Sequence, residues 1–582
     1  MPDPKRDALD MLDELRELTI LDEGDPQSFR VRAYESAKHG IEGFAGDLGK
    51  LSLSELQKIE GIGKSTASKL RELFETGRVE KLTMLREKHP QAIVDLMKIP
   101  GLGPKAVARL RKELGIGGIE DLRKAIAENK IRDLKGFGKT SEEKLAKALE
   151  RMGADTGKRT PIANAMPLAE RLVAEITALS GVHFATWCGS LRRFSETVGD
   201  LDIVVAADDG AAIMEMLVKL PLVDRVIGTG AAKTSFVTRR GLQVDVRVVA
   251  KHQLGAALLY FTGSKGHNIK MRQRALERKW TLNEYALAEQ DGGKVIASET
   301  EEEVYRALGL PFIHPVLRED MGELDLAERG QLPQVLVGSE VAGDFHVHTS
   351  VSGDGRSDIE DVVAAAHARG YAAVAITEHA EKLSLNGVDR EALLEQRREI
   401  AALQKKIGDS MKILHGIELN IGAEGELDYD AQFRSEFDFC LASIHDHLDL
   451  DRAAQTRRVV RAMEDPSVRM IGHLSARMIG ARPGVELDIE AVLAAAERTR
   501  TALEVNGGLP RLDVTLDVMR AARGRDIQFV LTSDAHHAKE LRRVEFAALH
   551  ASKAWLDPSR VVNVWSRERL LAWASAPKGA SV

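Results

Sequence analysis

Along the 582 residues, apolar positions follow three different rhythms. From the start to about residue 158 they recur every third or fourth position, as in Ala8 to Leu21, which is the spacing of one helix face. That region is expected to be helix after helix. From about 160 to 250 the pattern changes to short runs such as Phe184 to Cys188 and Leu201 to Ala206, and to the alternation of Leu242 to Val249. These are strands, whose successive side chains point to opposite faces. From 342 onward, short apolar runs recur between helical stretches such as Asp358 to Arg369 and Glu391 to Lys406. Strand and helix repeated in that way predict a parallel α/β barrel. Gly153 to Pro161 reads as a linker, and Pro315 to Val341, with scattered acids and Gly/Pro breaks, as a connector between domains.

The second region carries chemistry on its strands. Asp200 and Asp202 point the same way with Leu201 turned into the core. Two carboxylates on one strand face repel each other, and a hard divalent cation between them relieves the repulsion. If the run holding Asp245 pairs beside this strand, three carboxylates converge on a cluster able to hold two Mg²⁺ ions for phosphoryl transfer. Asp-x-Asp alone is more often a solvated strand end. Here it follows Gly189-Ser190, a turn whose backbone N–H groups and hydroxyl suit a polyphosphate, and Arg192 and Arg193, cations for phosphate oxygens. A phosphate clamp beside metal carboxylates is a nucleotidyl-transfer site.

The helical region repeats itself. Leu56-Gln-Lys-Ile-Glu-Gly-Ile-Gly-Lys-Ser-Thr-Ala67 is echoed by Leu96-Met-Lys-Ile-Pro-Gly-Leu-Gly-Pro-Lys-Ala106 and, more weakly, by Leu134-Lys-Gly-Phe-Gly-Lys-Thr140. The glycines (Gly61 and Gly63, Gly101 and Gly103) permit a tight turn, and each turn leads into a helix N-terminus whose free N–H groups can meet a phosphate. This is the helix-hairpin-helix pattern, which reads DNA backbone rather than sequence. A single copy could be only a helix–helix turn, and that is the better account of the third. Repetition, with Lys64, Lys69, Lys105 and Lys139 nearby, favours DNA contact.

In the third region, His and acidic residues end one apolar run after another: His346 and His348, His379, Glu418, His445, His473, and Asp534 with His536. A core histidine explains one such position, not this many at strand ends. The C-terminal ends of barrel strands are where such folds keep their chemistry. Imidazoles suit Zn²⁺, Mn²⁺ or Fe²⁺, and carboxylates can bridge two ions.

The stretch Cys188 to Val205, with Leu259-Tyr-Phe-Thr-Gly-Ser-Lys-Gly-His-Asn-Ile-Lys-Met-Arg272, resembles family X DNA polymerases, and the third region resembles the PHP domain. The whole chain is most similar to the bacterial PolX type. The resemblance implies a multidomain protein: an all-α helix-hairpin-helix N-terminal region, an α+β nucleotidyltransferase palm with a small thumb, and a distorted, TIM-like α/β PHP barrel. The expected boundaries are 1–85 and 86–158 for two helical domains, 159–250 for the palm and 251–318 for the thumb. A linker at 319–341 and the PHP domain at 342–582 complete the chain.

By the same resemblance Gly189, Ser190, Arg193, Gly199 and Gly263 lie at the nucleotide. Tyr260 and Phe261 line its sugar pocket, and Asn268 and Arg272 read the minor-groove edge of the nascent pair. Asp200, Asp202 and Asp245 are the catalytic acids, binding Mg²⁺ or Mn²⁺. The PHP ligands for about three Zn²⁺, Mn²⁺ or Fe²⁺ ions are His346, His348, Asp354, His379, Glu418, His445, His473, Asp534 and His536, with His346, His348 and Glu418 catalytic. An extra residue before Asp354 departs from the family pattern, so loop slack has to restore its position. His447 and His537 are expected outside the ligand set. Lys69 falls where the family's lyase region has its Schiff-base lysine, although Ser65 replaces a basic neighbour.

The implied activity is short-gap-filling DNA synthesis with a 3′→5′ exonuclease, on gapped or primer-template DNA with dNTPs. Three alternatives stay open at this point. They are a 3′-processing nuclease or abasic-site endonuclease with an idle palm, a small-molecule phosphatase, and a DNA-binding scaffold. Composition changes little. The net charge of −7 neither announces nor excludes DNA, because basic surface can be local. No apolar run reaches the roughly 18 residues of a membrane span. Two distant cysteines argue against a disulfide framework, and a cytoplasmic monomer is expected.

Overall fold

The computed structural model describes the chain apart from residues 1–3, 24–27, 45–47, 60, 90–92, 94–95, 97–98, 100–101, 103, 135–136, 139–140, 144, 147–148, 150–158, 384–385 and 579–582. Two compact units meet at Arg159 and Thr160, inside the segment read as a linker.

The first unit is helical, including Pro4–Glu23, Phe29–Gly43, Lys64–Thr76, Pro104–Leu114 and Ile119–Ala127. Their apolar faces share one core containing Leu12, Leu15, Ile41, Leu70, Leu110 and Leu122. The first repeat shows why glycine recurs. Gly61 has φ +79°, and a Cβ there would lie 2.2 Å from the Ser36 carbonyl oxygen. The turn is thus closed against the helix Phe29–Gly43 before Gly63 caps Lys64–Thr76.

The second unit opens with a five-stranded palm: Val182–Trp187 (β1), Asp200–Ala207 (β2), Val223–Thr229 (β3), Lys233–Thr238 (β4) and Gln243–Val249 (β5). They pair in the order β1-β2-β5-β4-β3. β2 and β5 are parallel, and their register sets Asp202 directly opposite Asp245. The helix Ile162–Thr177 packs on β1, and its Ile162, Met166, Leu172 and Ile176 share the palm core with Leu201, Ile203 and Val205. Two helices, Leu254–Thr262 and Lys265–Leu276, a small three-stranded antiparallel sheet and the helix Glu301–Ala307 follow.

The segment read as a linker is folded. Glu323 within it is buried against His267 (2.7 Å), and the Leu336 amide donates to Ser552 Oγ (2.9 Å). It is packed on both of the parts it joins.

The last part carries seven parallel strands in sequence order: Gly343–Val347 (β6), Ala373–His379 (β7), Lys412–Asn420 (β8), Phe439–Ser443 (β9), Val468–Gly472 (β10), Ala502–Asn506 (β11) and Phe529–Thr532 (β12). A parallel bridge from Val347 to Ala535 joins the first strand to the segment after the last, nearly closing a barrel. Every residue of β7 is buried, as expected of a parallel strand covered on both faces. Phe345, Phe439, Met470 and Val530 fill one end of the barrel against Trp573. Leu509, Leu512, Phe546, Leu549 and Trp555 of this last part pack into the palm's own core, so the two halves share apolar interior.

Candidate metal centres and nucleotide pocket

The palm site follows from the pleat and the β2–β5 register. Asp200, Asp202 and Asp245 each offer an oxygen within 4.8 Å of the others. Burial pushes the Asp202 carboxyl up to about 7, and the charges of Asp200 and Asp245 add to it. Such a cluster is built for cations. Asp245 accepts from Gln243 Nε2 at 2.8 Å and from the Ser235 hydroxyl, and Lys233 Nζ stands 3.4 Å from it. Lys233 and Ser235 were not singled out in the sequence, because they lie on β4 and reach Asp245 only across the ladder.

The phosphate turn sits against these acids. Gly189 has φ +60°, and a Cβ there would come within 2.4 Å of Asp202 Oδ2, so glycine is required for the approach. Gly189 and Ser190 begin the four-residue helix ending at Arg192. The two arginines behave differently. Arg192 is spent structurally: it forks onto Glu301 at 3.1 and 2.6 Å and onto Thr262 Oγ1 at 2.6 Å, so the expectation that it meets phosphate is not supported. Arg193 donates to the Thr262 carbonyl at 2.6 Å and to Glu319 at 3.2 Å, and its charge lies close enough to pull the Asp202 carboxyl down against burial.

Tyr260 and Phe261 end the helix Leu254–Thr262 edge to face at 5.1 Å, with Arg247 over the Phe261 ring. Gly263, at φ +70°, leaves only 3.2 Å between a would-be Cβ and Arg193 Nη1. Asn268 donates to the Tyr260 carbonyl at 2.7 Å, while Arg272 and Gly199 are exposed.

In the barrel the nine expected residues converge. Glu418, wholly buried on β8, is the hub: His473 Nε2, His445 Nε2 and His346 Nε2 lie 3.0, 3.3 and 3.4 Å from its Oε1, and His379 Nδ1 lies 2.7 Å from its Oε2. Asp534 Oδ1 is 3.5 Å from His348 and 3.6 Å from His346. Burial would raise the Glu418 carboxyl, but the charges of His445, His346 and His379 hold it well below the usual range. The extra residue before Asp354 is absorbed by a turn in which Ser352 N bonds Thr349 O and Gly355 N bonds Ser352 O. Asp354 Oδ2 thereby reaches His536 and His379 at 3.3 and 3.4 Å. His447 is exposed and His537 caps the next short helix, both away from the cluster.

Buried atoms with no hydrogen-bond partner include His346 Nε2, His348 Nε2 and Glu418 Oε2, all aimed into this cluster. Lone pairs left unpaired in a dry site fit metal ions. Several supporting groups escaped the sequence reading. Glu504 accepts from His346 Nδ1 at 2.5 Å and also binds the His473 amide, and Asn420 Oδ1 meets His445 Nδ1 at 2.7 Å. Buried Glu378 holds Thr349 and Ser352, and Arg511 stands 3.6 Å from Asp534. A Glu inside each of the apolar strands β7 (Glu378) and β11 (Glu504) was the available sign.

In the first unit Lys64 is exposed at the start of its helix, and Lys69 donates to Ser65 Oγ at 2.7 Å, 5.9 Å above the Tyr34 ring. Gly101, Gly103 and Lys139, and the side chain of Lys105, lie outside the described residues.

A palm with three clustered acids, joined to a barrel lined by nine His, Asp and Glu residues, defines a metal-dependent nucleotidyltransferase fused to a PHP-type phosphoesterase. Comparisons with known proteins agree part by part. Residues 3–79 match the helix-hairpin-helix domain, 93–151 the SAM-like helix-hairpin-helix tandem, 257–319 the DNA polymerase beta thumb, and 344–507 the PHP domain. The chain is 34% identical over 572 residues to the DNA polymerase/3′-5′ exonuclease PolX of Bacillus subtilis, covering 97% of this chain and 98% of that one. It is 25% identical to DNA polymerase lambda of Rattus norvegicus over 50% of this chain and 52% of that one. A probable phosphatase of Shewanella sediminis is 30% identical over 40% of this chain and 93% of its own length. The chain belongs to the PolX family.

Proposed function

We propose that this chain fills short DNA gaps by template-directed nucleotidyl transfer and trims 3′ ends with its PHP barrel, in DNA repair. The observation that carries the reading is one chain holding both a three-acid palm cluster against a phosphate turn and a buried His/Asp/Glu cluster. In the palm, Asp200, Asp202 and Asp245 would hold two Mg²⁺ or Mn²⁺ ions, which when bound acidify the primer 3′-hydroxyl and neutralise charge at the α-phosphate. The protein's own part is positioning. Ser190 and the turn amides bind the triphosphate and Arg193 supplies charge. Tyr260 and Phe261 flank the sugar, and Asn268 and Arg272 face the nascent pair.

In the barrel the nine ligands would hold about three Zn²⁺, Mn²⁺ or Fe²⁺ ions, which acidify a water and polarise a phosphodiester. Glu504 and Asn420 fix the rings of His346 and His445, so each presents the other nitrogen to the cluster. Gly61, Gly63 and Lys64, with Gly101, Gly103 and Lys105, bind DNA phosphates, and Lys69 is the candidate lyase lysine. No helix among the described residues is long and apolar enough to cross a membrane. The protein is read as a cytoplasmic monomer.

The test is a labelled primer on a one-nucleotide gap with a 5′-phosphate, with and without dNTPs, for wild type, Asp202→Asn and His346→Ala. Extension is lost only in Asp202→Asn and shortening only in His346→Ala. Shortening without extension in wild type would sink the polymerase reading and leave a nuclease with an idle palm.

A further inference from the structure

The loop that follows the phosphate turn is backed by the other half of the protein. Phe194, buried with φ +55°, stacks on Phe546 at 5.9 Å, and Phe546 belongs to the helix Arg543–Lys553 beside the PHP barrel. Glu196 is held by Arg477 in a fork at 3.1 and 2.7 Å. Between these, Lys553 at the end of the same helix donates to the Arg193 carbonyl at 2.8 Å and pairs with Glu319.

Lys553 is 6% exposed, so its ammonium has little water and depends on these partners. The Glu319 oxygen that it meets, Oε1, is the one Arg193 Nε approaches at 3.2 Å. One carboxylate is thus shared between two cations. With both in place the trio carries one net positive charge. Without Lys553, Glu319 would belong to Arg193 alone, and the pair would be neutral toward a triphosphate. The Thr262 carbonyl, the other partner of Arg193, is uncharged and does not alter this balance.

We infer that Lys553, in the nuclease half, is a positioning residue for the polymerase: by sharing Glu319 it keeps that carboxylate from neutralising Arg193 and leaves the guanidinium free for the incoming nucleotide. The inference rests on the reading that Arg193 meets the triphosphate. It makes the PHP half a working part of the nucleotide pocket, with no movement of either half required.

The experiment is a charge-rescue cycle in the full-length protein, with KM for dNTP and kcat measured on the gapped primer. Lys553→Met raises KM on the order of tenfold, the usual size of such couplings, with a smaller change in kcat and with 3′ shortening intact as a check of folding. Glu319→Gln does not raise KM. The double variant Lys553→Met/Glu319→Gln returns KM toward wild type, because no carboxylate then offsets the charge of Arg193. A purely structural role predicts the opposite, a double variant worse than either single one. An unchanged KM in Lys553→Met, or no recovery in the double variant, overturns the inference. Arg193→Ala separates the two levels. If it raises KM while Lys553→Met does not, only the inference fails, and if it too leaves KM unchanged, the reading of Arg193 as the triphosphate contact fails.

Discussion

Asp202 gives a test of the palm centre that needs no substrate. Its carboxyl is pushed up to about 7 by burial and by Asp200 and Asp245, from an ordinary value of 3.8. A carboxyl whose folded pKa is raised destabilises the fold wherever it must ionise. Stability is therefore greatest below pH 4, falls as pH rises toward 7, and stays low above it. Three pKa units correspond to about 4 kcal/mol at pH 8 and about 1.6 kcal/mol at pH 5, the latter because the folded group is still protonated there. Asp202→Asn removes the ionisation and keeps the shape.

In metal-stripped protein the variant is expected to be more stable than wild type by about 2–4 kcal/mol at pH 8, with a smaller gain at pH 5. Urea unfolding in EDTA at the two pH values measures it. Adding Mg²⁺ at pH 8 reverses the order, since only wild type keeps the full cation site. A gain equal at both pH values, or a loss, would refute the argument that the acids are held together at a cost that cations relieve.

Three further outcomes follow from other buried groups. Glu301→Gln leaves Arg192 and the fully buried Arg318 without their carboxylate; unfolding should cost about 3–5 kcal/mol less, and KM for dNTP should rise because Arg192 anchors the helix bearing Ser190. Glu504→Gln replaces the charged acceptor behind the His346 ring with a neutral one, so metal affinity, followed by elemental analysis after dialysis, should fall about 10- to 100-fold while primer extension persists. His415 is pushed down to about 3 by burial and by Arg397, which donates to its Nδ1 at 3.2 Å. The unfolded chain takes up that proton first, so stability is lost as pH falls below 6.5, and His415→Phe should flatten the decline of the melting temperature between pH 6.5 and 4.

The sequence by itself determined whatever depends on local periodicity. The pleat put Asp200 and Asp202 on one face, and apolar runs ending in His or an acid marked the ends of barrel strands. The Gly-x-Gly repeats announced turns, of which the first is described and closed by Gly61 against Ser36. These follow from rules that act within a few residues, so a reader of the chain can apply them.

Tertiary structure decided what depends on register and on long-range packing. Asp245 joins the acids only because β5 lies parallel to β2 in a register that opposes it to Asp202. Residue chemistry alone did not separate the two adjacent arginines, and only the resemblance to family X polymerases favoured Arg193. Arg192 is consumed by Glu301, 109 positions away, and Arg193 shares Glu319 with Lys553, which lies 234 positions beyond that carboxylate. Glu504 finds His346 across 158 residues. A buried ion pair or an orienting hydrogen bond is fixed by where two segments meet in space, and neither segment alone carries the address of its partner.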